Sequence, residues 1–138
     1  MLGGGNPVGG SNPSGIGTSL NFVGNHCYAM SGEFASSTTE QTMLSFKTSG
    51  FYVTATFVMT APIRFADLPN GATRGFKLQF NSEVVGMYKA ESAQEDMPAF
   101  AQVEILIPPF TEVKLICKDN ADASTFTGTA NITGRVYA

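Results

Sequence analysis

Residues 51–60 read as a strand with one wet and one dry face. Phe51, Val53, Ala55, Phe57 and Met59 alternate with Tyr52, Thr54, Thr56 and Thr60. A period of two sends successive side chains to opposite sides of an extended backbone, so the apolar set faces a core. An amphipathic helix needs apolar residues three and four apart, and no long stretch of this chain has that spacing.

The same period recurs along the chain. Over 26–34 an imperfect strand is expected, opened by Gly24 and closed by Ala35-Ser36-Ser37. Over 40–48, Thr42, Leu44 and Phe46 share one face and Gln41, Ser45 and Lys47 the other. Ser49-Gly50 is a turn signal, so 40–60 reads as a hairpin. Phe76, Leu78 and Phe80 alternate with Lys77 and Gln79. Asn81-Ser82 turns the chain, and 84–89 returns as a second hairpin. Over 100–107, Val103, Ile105 and Ile107 point inward until Pro108-Pro109 ends the strand, since proline cannot donate into a ladder. Val113, Leu115 and Cys117 then oppose Glu112, Lys114 and Lys118. Finally 126–136 sets Phe126, Ala130, Ile132 and Val136 inward, with Gly128 and Gly134 on the same face, where close backbone approach is expected. The segments 61–73 and 91–98 are long connections, the second polar and acidic with room for one helical turn. Hairpins separated by long crossings fit a Greek-key sandwich of jelly-roll type better than an up-and-down barrel. The fold class is therefore all-β, an antiparallel β-sandwich, jelly-roll-like, with Phe46, Phe57, Phe80, Ile105, Leu115 and Ile132 in its core.

Residues 1–18 follow another rule. They are Gly, Asn, Pro and Ser with only Leu2, Val8 and Ile16 to bury. Such a segment cannot recover its own ordering entropy and is expected to stay mobile until a surface holds it. The chain divides into an arm, 1–18, and a β domain, 19–138. Pro7 and Pro13, preceded by Asn6 and Asn12, bias the arm towards extended forms. Leu2, Val8 and Ile16 then become separate apolar pegs on a partner, and backbone bonds add to them as in strand addition.

Charged residues make up 14% of the chain and the net charge is −3. The usual charged share is about a quarter, so Thr, Ser, Asn and Gly supply the polarity, as in β proteins whose surfaces neighbours cover. The eight Lys and Arg are scattered singly, which does not favour direct nucleic-acid or anionic-membrane binding. The N-terminus lacks a basic and then apolar leader, and no run is long and apolar enough to span a bilayer. Cys27 and Cys117 fit no disulfide framework or zinc spacing, so two free, buried thiols are expected in a protein made in cytoplasm.

Reactive constellations are missing from the pattern. The single histidine, His26, adjoins Cys27, and neighbours on a strand face opposite ways. One His and two distant Cys do not make a metal centre. Asp119, Asn120 and Asp122 are the densest oxygen cluster; turn chemistry accounts for them, with a weak calcium site as the alternative. Glu91, Glu95 and Asp96 read as a solvated loop, and Glu104 and Glu112 as outward residues able to pair with lysines. Gly3-Gly4-Gly5 has neither the strand before it nor the lysine after it that a phosphate loop needs. The sequon Asn131-Ile132-Thr133 reads as chance. Most Phe fall on core faces, leaving Tyr28, Tyr52, Tyr88 and Tyr137 for interfaces. No enzyme activity, cofactor or metal is expected.

The Gly/Asn/Pro arm, the segment Thr18-Ser19-Leu20-Asn21-Phe22-Val23-Gly24-Asn25-His26, the corner Ile107-Pro108-Pro109-Phe110-Thr111 and the terminal Thr133-Gly134-Arg135-Val136-Tyr137 carry a resemblance. In architecture and pattern, over its full length, the chain resembles the small β-sandwich decoration, or cement, proteins of tailed-bacteriophage capsids. The resemblance implies a structural protein on the capsid exterior of a virion, often a homotrimer, with the major capsid protein as partner. Its arm, including Leu2, Asn6, Pro7, Val8, Asn12, Pro13 and Ile16, would run over that coat. Two alternatives stand beside it: a receptor- or glycan-binding jelly roll at a fibre tip, and another minor structural virion protein.

Overall fold

The computed structural model describes residues 20–62, 73–91, 100–120 and 122–137. Among them the backbone forms strands and no helix: β1 (Asn21–Val23), β2 (His26–Met30), β3 (Phe34–Ser36), β4 (Gln41–Lys47), β5 (Tyr52–Thr60), β6 (Thr73–Phe80), β7 (Glu83–Glu91), β8 (Phe100–Ile107), β9 (Glu112–Asp119), β10 (Ala123–Gly128) and β11 (Ala130–Tyr137). The arm residues Leu2, Asn6, Pro7, Val8, Asn12, Pro13 and Ile16 lie outside the described residues, as do most of the two long connections, 63–72 and 92–99.

Pairing is nested about the turn at Asn81-Ser82. β6 pairs with β7, β5 with β8, β4 with β9, β3 with β10 and β2 with β11, all antiparallel. The chain is one long two-stranded ribbon, rolled so that β11 also meets β5 and β9 also meets β6. The result is a sheet of order β1-β2-β11-β5-β8, a sheet of order β4-β9-β6-β7 and the small pair β10-β3. This is jelly-roll topology in a β-sandwich. At the tip, Asn81 and Ser82 have φ of 51° and 70°, the two positive values of a type I′ turn, whose twist matches that of the strands it joins.

The expected hairpin over 40–60 is not one. β4 and β5 belong to different sheets, and the chain arches across the core between them. Alternation does not distinguish the two cases, because strands facing each other across a core show the same pattern as strands side by side. The arch is paired with the Pro-Pro corner that carries β8 into β9. Thr48 N donates to Thr111 O at 2.9 Å and Phe110 N to Ser49 O at 2.8 Å. The Thr48 hydroxyl donates to Pro108 O at 2.7 Å and accepts from Thr111 N at 2.9 Å. The ribbon therefore bends from one sheet to the other without losing its ladder.

Other expectations are adjusted locally. A register shift between Thr42 and Leu44 buries Met43 and Leu44 together and leaves Thr42 exposed. The strand expected over 26–34 divides at Gly32, whose φ is 72°, into β2 and β3. That over 126–136 divides at Thr129 into β10 and β11, which lie in different sheets. Phe46, Phe57, Leu115 and Ile132 are buried, with Leu44, Phe76, Leu78 and Val53 among them. Phe80 and Ile105 are only half-buried and pack against this core. Phe80 sits beside the turn, at an end of the sandwich, and Ile105 lies on β8, an edge strand. A β-carbon on Gly134 would stand 2.6 Å from Val53 Cγ1, and one on Gly128 2.8 Å from Thr60 O. Both glycines mark the close approach expected of them.

Candidate docking face

The inward set of the β4-β9-β6-β7 sheet decides what its other face carries. Leu44 and Phe46, Val113, Leu115 and Cys117, and Phe76 and Leu78 turn into the core. Their alternates on the same strands must turn out. Those alternates include Lys47 on β4, Lys114 and Lys118 on β9 and Lys77 on β6; on β7, buried Ala90 puts Lys89 outside. These are all five lysines of the chain. Three glutamates accompany them: Glu40 lies 2.6 Å from Lys77 Nζ, Glu91 3.2 Å from Lys89, and Glu112 3.8 and 3.9 Å from Lys47 and Lys114. Among the described residues, five lysines against three glutamates leave this face positive in a chain of net charge −3.

A groove of about 680 Å³ crosses the face. Gly75 forms its floor, with Lys118 opposite on β9 and Lys89 opposite on β7. The next outward row is Ile116, Lys77 and Met87, and Met87 is 74% exposed. The carboxyl of Glu40, at the rim, is held below the usual range by its hydrogen bond from Lys77 and by the charges of Lys77 and, more weakly, Lys118. The groove is a shallow cationic trough with an apolar shelf.

The oxygen cluster at 119–122 is engaged in other ways. Asp119 is buried and accepts from Arg74 Nε at 2.6 Å, from Arg74 Nη2 at 2.9 Å and from Ser37 N at 2.8 Å. Asp122 accepts from Thr38 N and the Thr38 hydroxyl at 2.8 and 3.0 Å, which lowers its pKa. These contacts tie the β9–β10 connection to the β3–β4 connection. Among the described residues no three His, Cys, Asp or Glu side chains converge as metal ligands. Glu112 pairs with lysines as expected of it, while Glu95 and Asp96 lie outside the described residues. His26 is exposed and Cys27 buried, on opposite faces of β2. Cys27 and Cys117 are free and buried, and desolvation pushes each thiol up to about 11.

Of the four tyrosines expected at interfaces, Tyr52 and Tyr137 stack at 5.0 Å and Arg135 lies 5.6 Å from the Tyr137 ring centre. Phe110, which the alternation did not single out, is 75% exposed at the Pro-Pro corner with φ of 54°. The lysine face escaped sequence reasoning because its residues lie far apart in the chain. Their one shared signal is that each occupies the polar phase of an alternating strand.

No protein-family model matches this chain, and no curated protein matches it. No helix among the described residues is long and apolar enough to cross a membrane.

Proposed function

We propose that this protein is a structural docking module that attaches to an acidic surface of a larger assembly, and that the assembly is a phage capsid. One observation carries the docking reading: the fold gathers all five lysines, dispersed in sequence, on one face of one sheet. A cationic face of low net charge steers an acidic partner into register without binding every polyanion. The capsid reading rests on the resemblance to decoration proteins and accords with the jelly-roll fold. On it, the major capsid protein is the partner, the copies form a homotrimer on the capsid exterior, and the arm with Leu2, Val8 and Ile16 adds a second contact. Many weak contacts on a symmetric shell reinforce one another by avidity.

The test is co-sedimentation with empty capsids of the parent particle. Lys47→Glu combined with Lys114→Glu, far from the groove floor, is expected to weaken binding at least about tenfold, and added salt to weaken the unaltered protein. Equal occupancy by the two proteins at limiting concentration would count against the reading. Light scattering tests the trimer, and monomer alone in solution and on the particle would remove that part.

The exposed Phe110 ring favours a second reading, a glycan- or receptor-binding fibre tip. Binding of the protein to host cells or a glycan array, abolished by Phe110→Ala, would replace the capsid reading with this one.

A further inference from the structure

We infer that the groove over Gly75 is a recognition site for the carboxylate side chain of an acidic, extended segment of a protein partner. This names what the docking face holds and rests on the docking reading above.

The first ground is the glycine. Inside a strand glycine costs backbone entropy and gives up a side chain that would pack, and it often marks a place where a ligand comes close. Gly128 and Gly134 have a reason within the fold, since a β-carbon there would collide with backbone oxygen at 2.8 Å. Gly75 has none. Its φ is not in the left-handed region, and among the described residues a β-carbon would meet only Lys118 O, at an ordinary 3.7 Å. The space above it is open and belongs to the groove.

The second ground is what surrounds that space. Lys118 and Lys89 flank Gly75 on the two neighbouring strands, and Lys77 lies two residues along β6 on the same face. Ammonium groups are compact point charges with rotatable donors, and three of them around a gap suit one small anion. Lys77 and Lys89 already contact Glu40 and Glu91, but these pairs are exposed and such pairs contribute little. An incoming carboxylate displaces them at small cost. Among the described residues Lys118 has no ion pair, so it engages first.

The third ground selects a peptide over a nucleic acid. Met87 and Ile116 form an apolar shelf one row from the lysines, and methionine adapts to varied apolar partners. In an extended segment, side chains two residues apart stand on the same face about 7 Å apart. Gly75 and Lys77 share that spacing, so an acidic residue over Gly75 places the residue two positions on against the shelf. A phosphate backbone would need a longer and more strongly positive track than this face supplies.

The test uses the full chain, labelled for backbone amide spectra, and a synthetic peptide of glutamate, leucine and glycine, with its glutamine counterpart as control. Titration with the glutamate peptide is expected to shift Gly75, Lys77, Lys89 and Lys118 and to leave Lys47 and Lys114 in place. The glutamine peptide is expected to shift none of them. Gly75→Val, which a strand accommodates well, is expected to keep or raise the melting temperature while weakening the peptide at least about tenfold. Lys118→Gln is expected to weaken it too. The inference is overturned by undiminished binding to Gly75→Val, by shifts spread evenly over all five lysines, by no binding, or by tighter binding of a single-stranded oligonucleotide. Capsid docking by the Lys47 and Lys114 double variant is read separately, so the groove and the docking face fail independently.

Discussion

Arg74 and Asp119 face each other from neighbouring strands, β6 and β9, in a two-pronged ion pair entirely out of water. Arg74 Nη2 also donates to Phe34 O and Ala35 O at 3.0 and 3.2 Å. One guanidinium thus fixes strand β3 to the β4-β9-β6-β7 sheet. Its Nη1 is buried and, among the described residues, without a hydrogen-bond partner, close to Gly128.

Removing half of such a pair strands the other half in a medium that cannot solvate it. Arg74→Ala is expected to cost about 3–5 kcal/mol in denaturant unfolding. Replacing both partners with apolar residues, Arg74→Met with Asp119→Leu, is expected to recover most of that loss. A single variant as stable as the parent would show that the pair does not hold β3.

Phe57 is buried at the centre of the core and Phe80 is half-buried at an end. Phe57→Ala is expected to cost about 3–5 kcal/mol, and Phe80→Ala clearly less. A loss below about 1 kcal/mol for Phe57→Ala would contradict its place in the core.

Gly134 and Gly75 offer a paired test of glycine roles. Gly134→Ala forces a methyl group against Val53 and the Thr54 carbonyl and is expected to cost about 1–3 kcal/mol, as overpacking does. Gly75→Ala meets no such obstacle and is expected to leave the melting temperature unchanged or higher. Equal losses at both positions would remove the distinction.

The thiols of Cys27 and Cys117, pushed up to about 11 by burial, remain protonated in the folded protein at neutral pH. Mass spectrometry after brief alkylation is expected to show no label on native protein and two on unfolded protein. Because the unfolded thiols ionise at lower pH, the unfolded state sheds protons first as pH rises. Stability is therefore expected to fall from about pH 9 towards pH 11. A flat profile across that window would contradict burial of both groups.

Deleting residues 2–17 is expected to leave the melting temperature of the β domain nearly unchanged and to weaken capsid binding at least about tenfold. On the proposed capsid reading, burying each of Leu2, Val8 and Ile16 would contribute about 1.5–3 kcal/mol, much of it offset by ordering a glycine-rich backbone. Equal occupancy of capsids by truncated and full-length chains would assign the arm no part in binding.

Much of the fold was legible because alternation is local. The strands read at 51–60, 76–80, 84–89, 100–107 and 111–118, the turn at Asn81-Ser82 and the tight places at Gly128 and Gly134 all follow from residues close in sequence, although β6 and β7 extend to Thr73 and Glu91, which the sequence assigned to the long connections. The false hairpin at 40–60 and the bulge at Met43 were not legible. Arching over a core and returning beside a neighbour leave the same pattern, and a bulge shifts phase without a sequence mark. The lysine face was illegible for a related reason: Lys47 and Lys118 share nothing until their strands share a sheet.

The sequence by itself determined the side that most strand residues take. That choice is set by the pleat of one strand and the polarity of its own residues, and it made the protein a two-faced all-β chain. Only the tertiary structure decided which strand lies beside which. Backbone hydrogen bonds are alike for every strand, so pairing is selected by fit across the core and by corners such as Thr48 against Pro108 and Thr111. From that selection come the meeting of Arg74 with Asp119, forty-five residues apart, and the gathering of five scattered lysines on one face of the β4-β9-β6-β7 sheet. Both depend on contacts between residues distant in the chain, which no local pattern encodes.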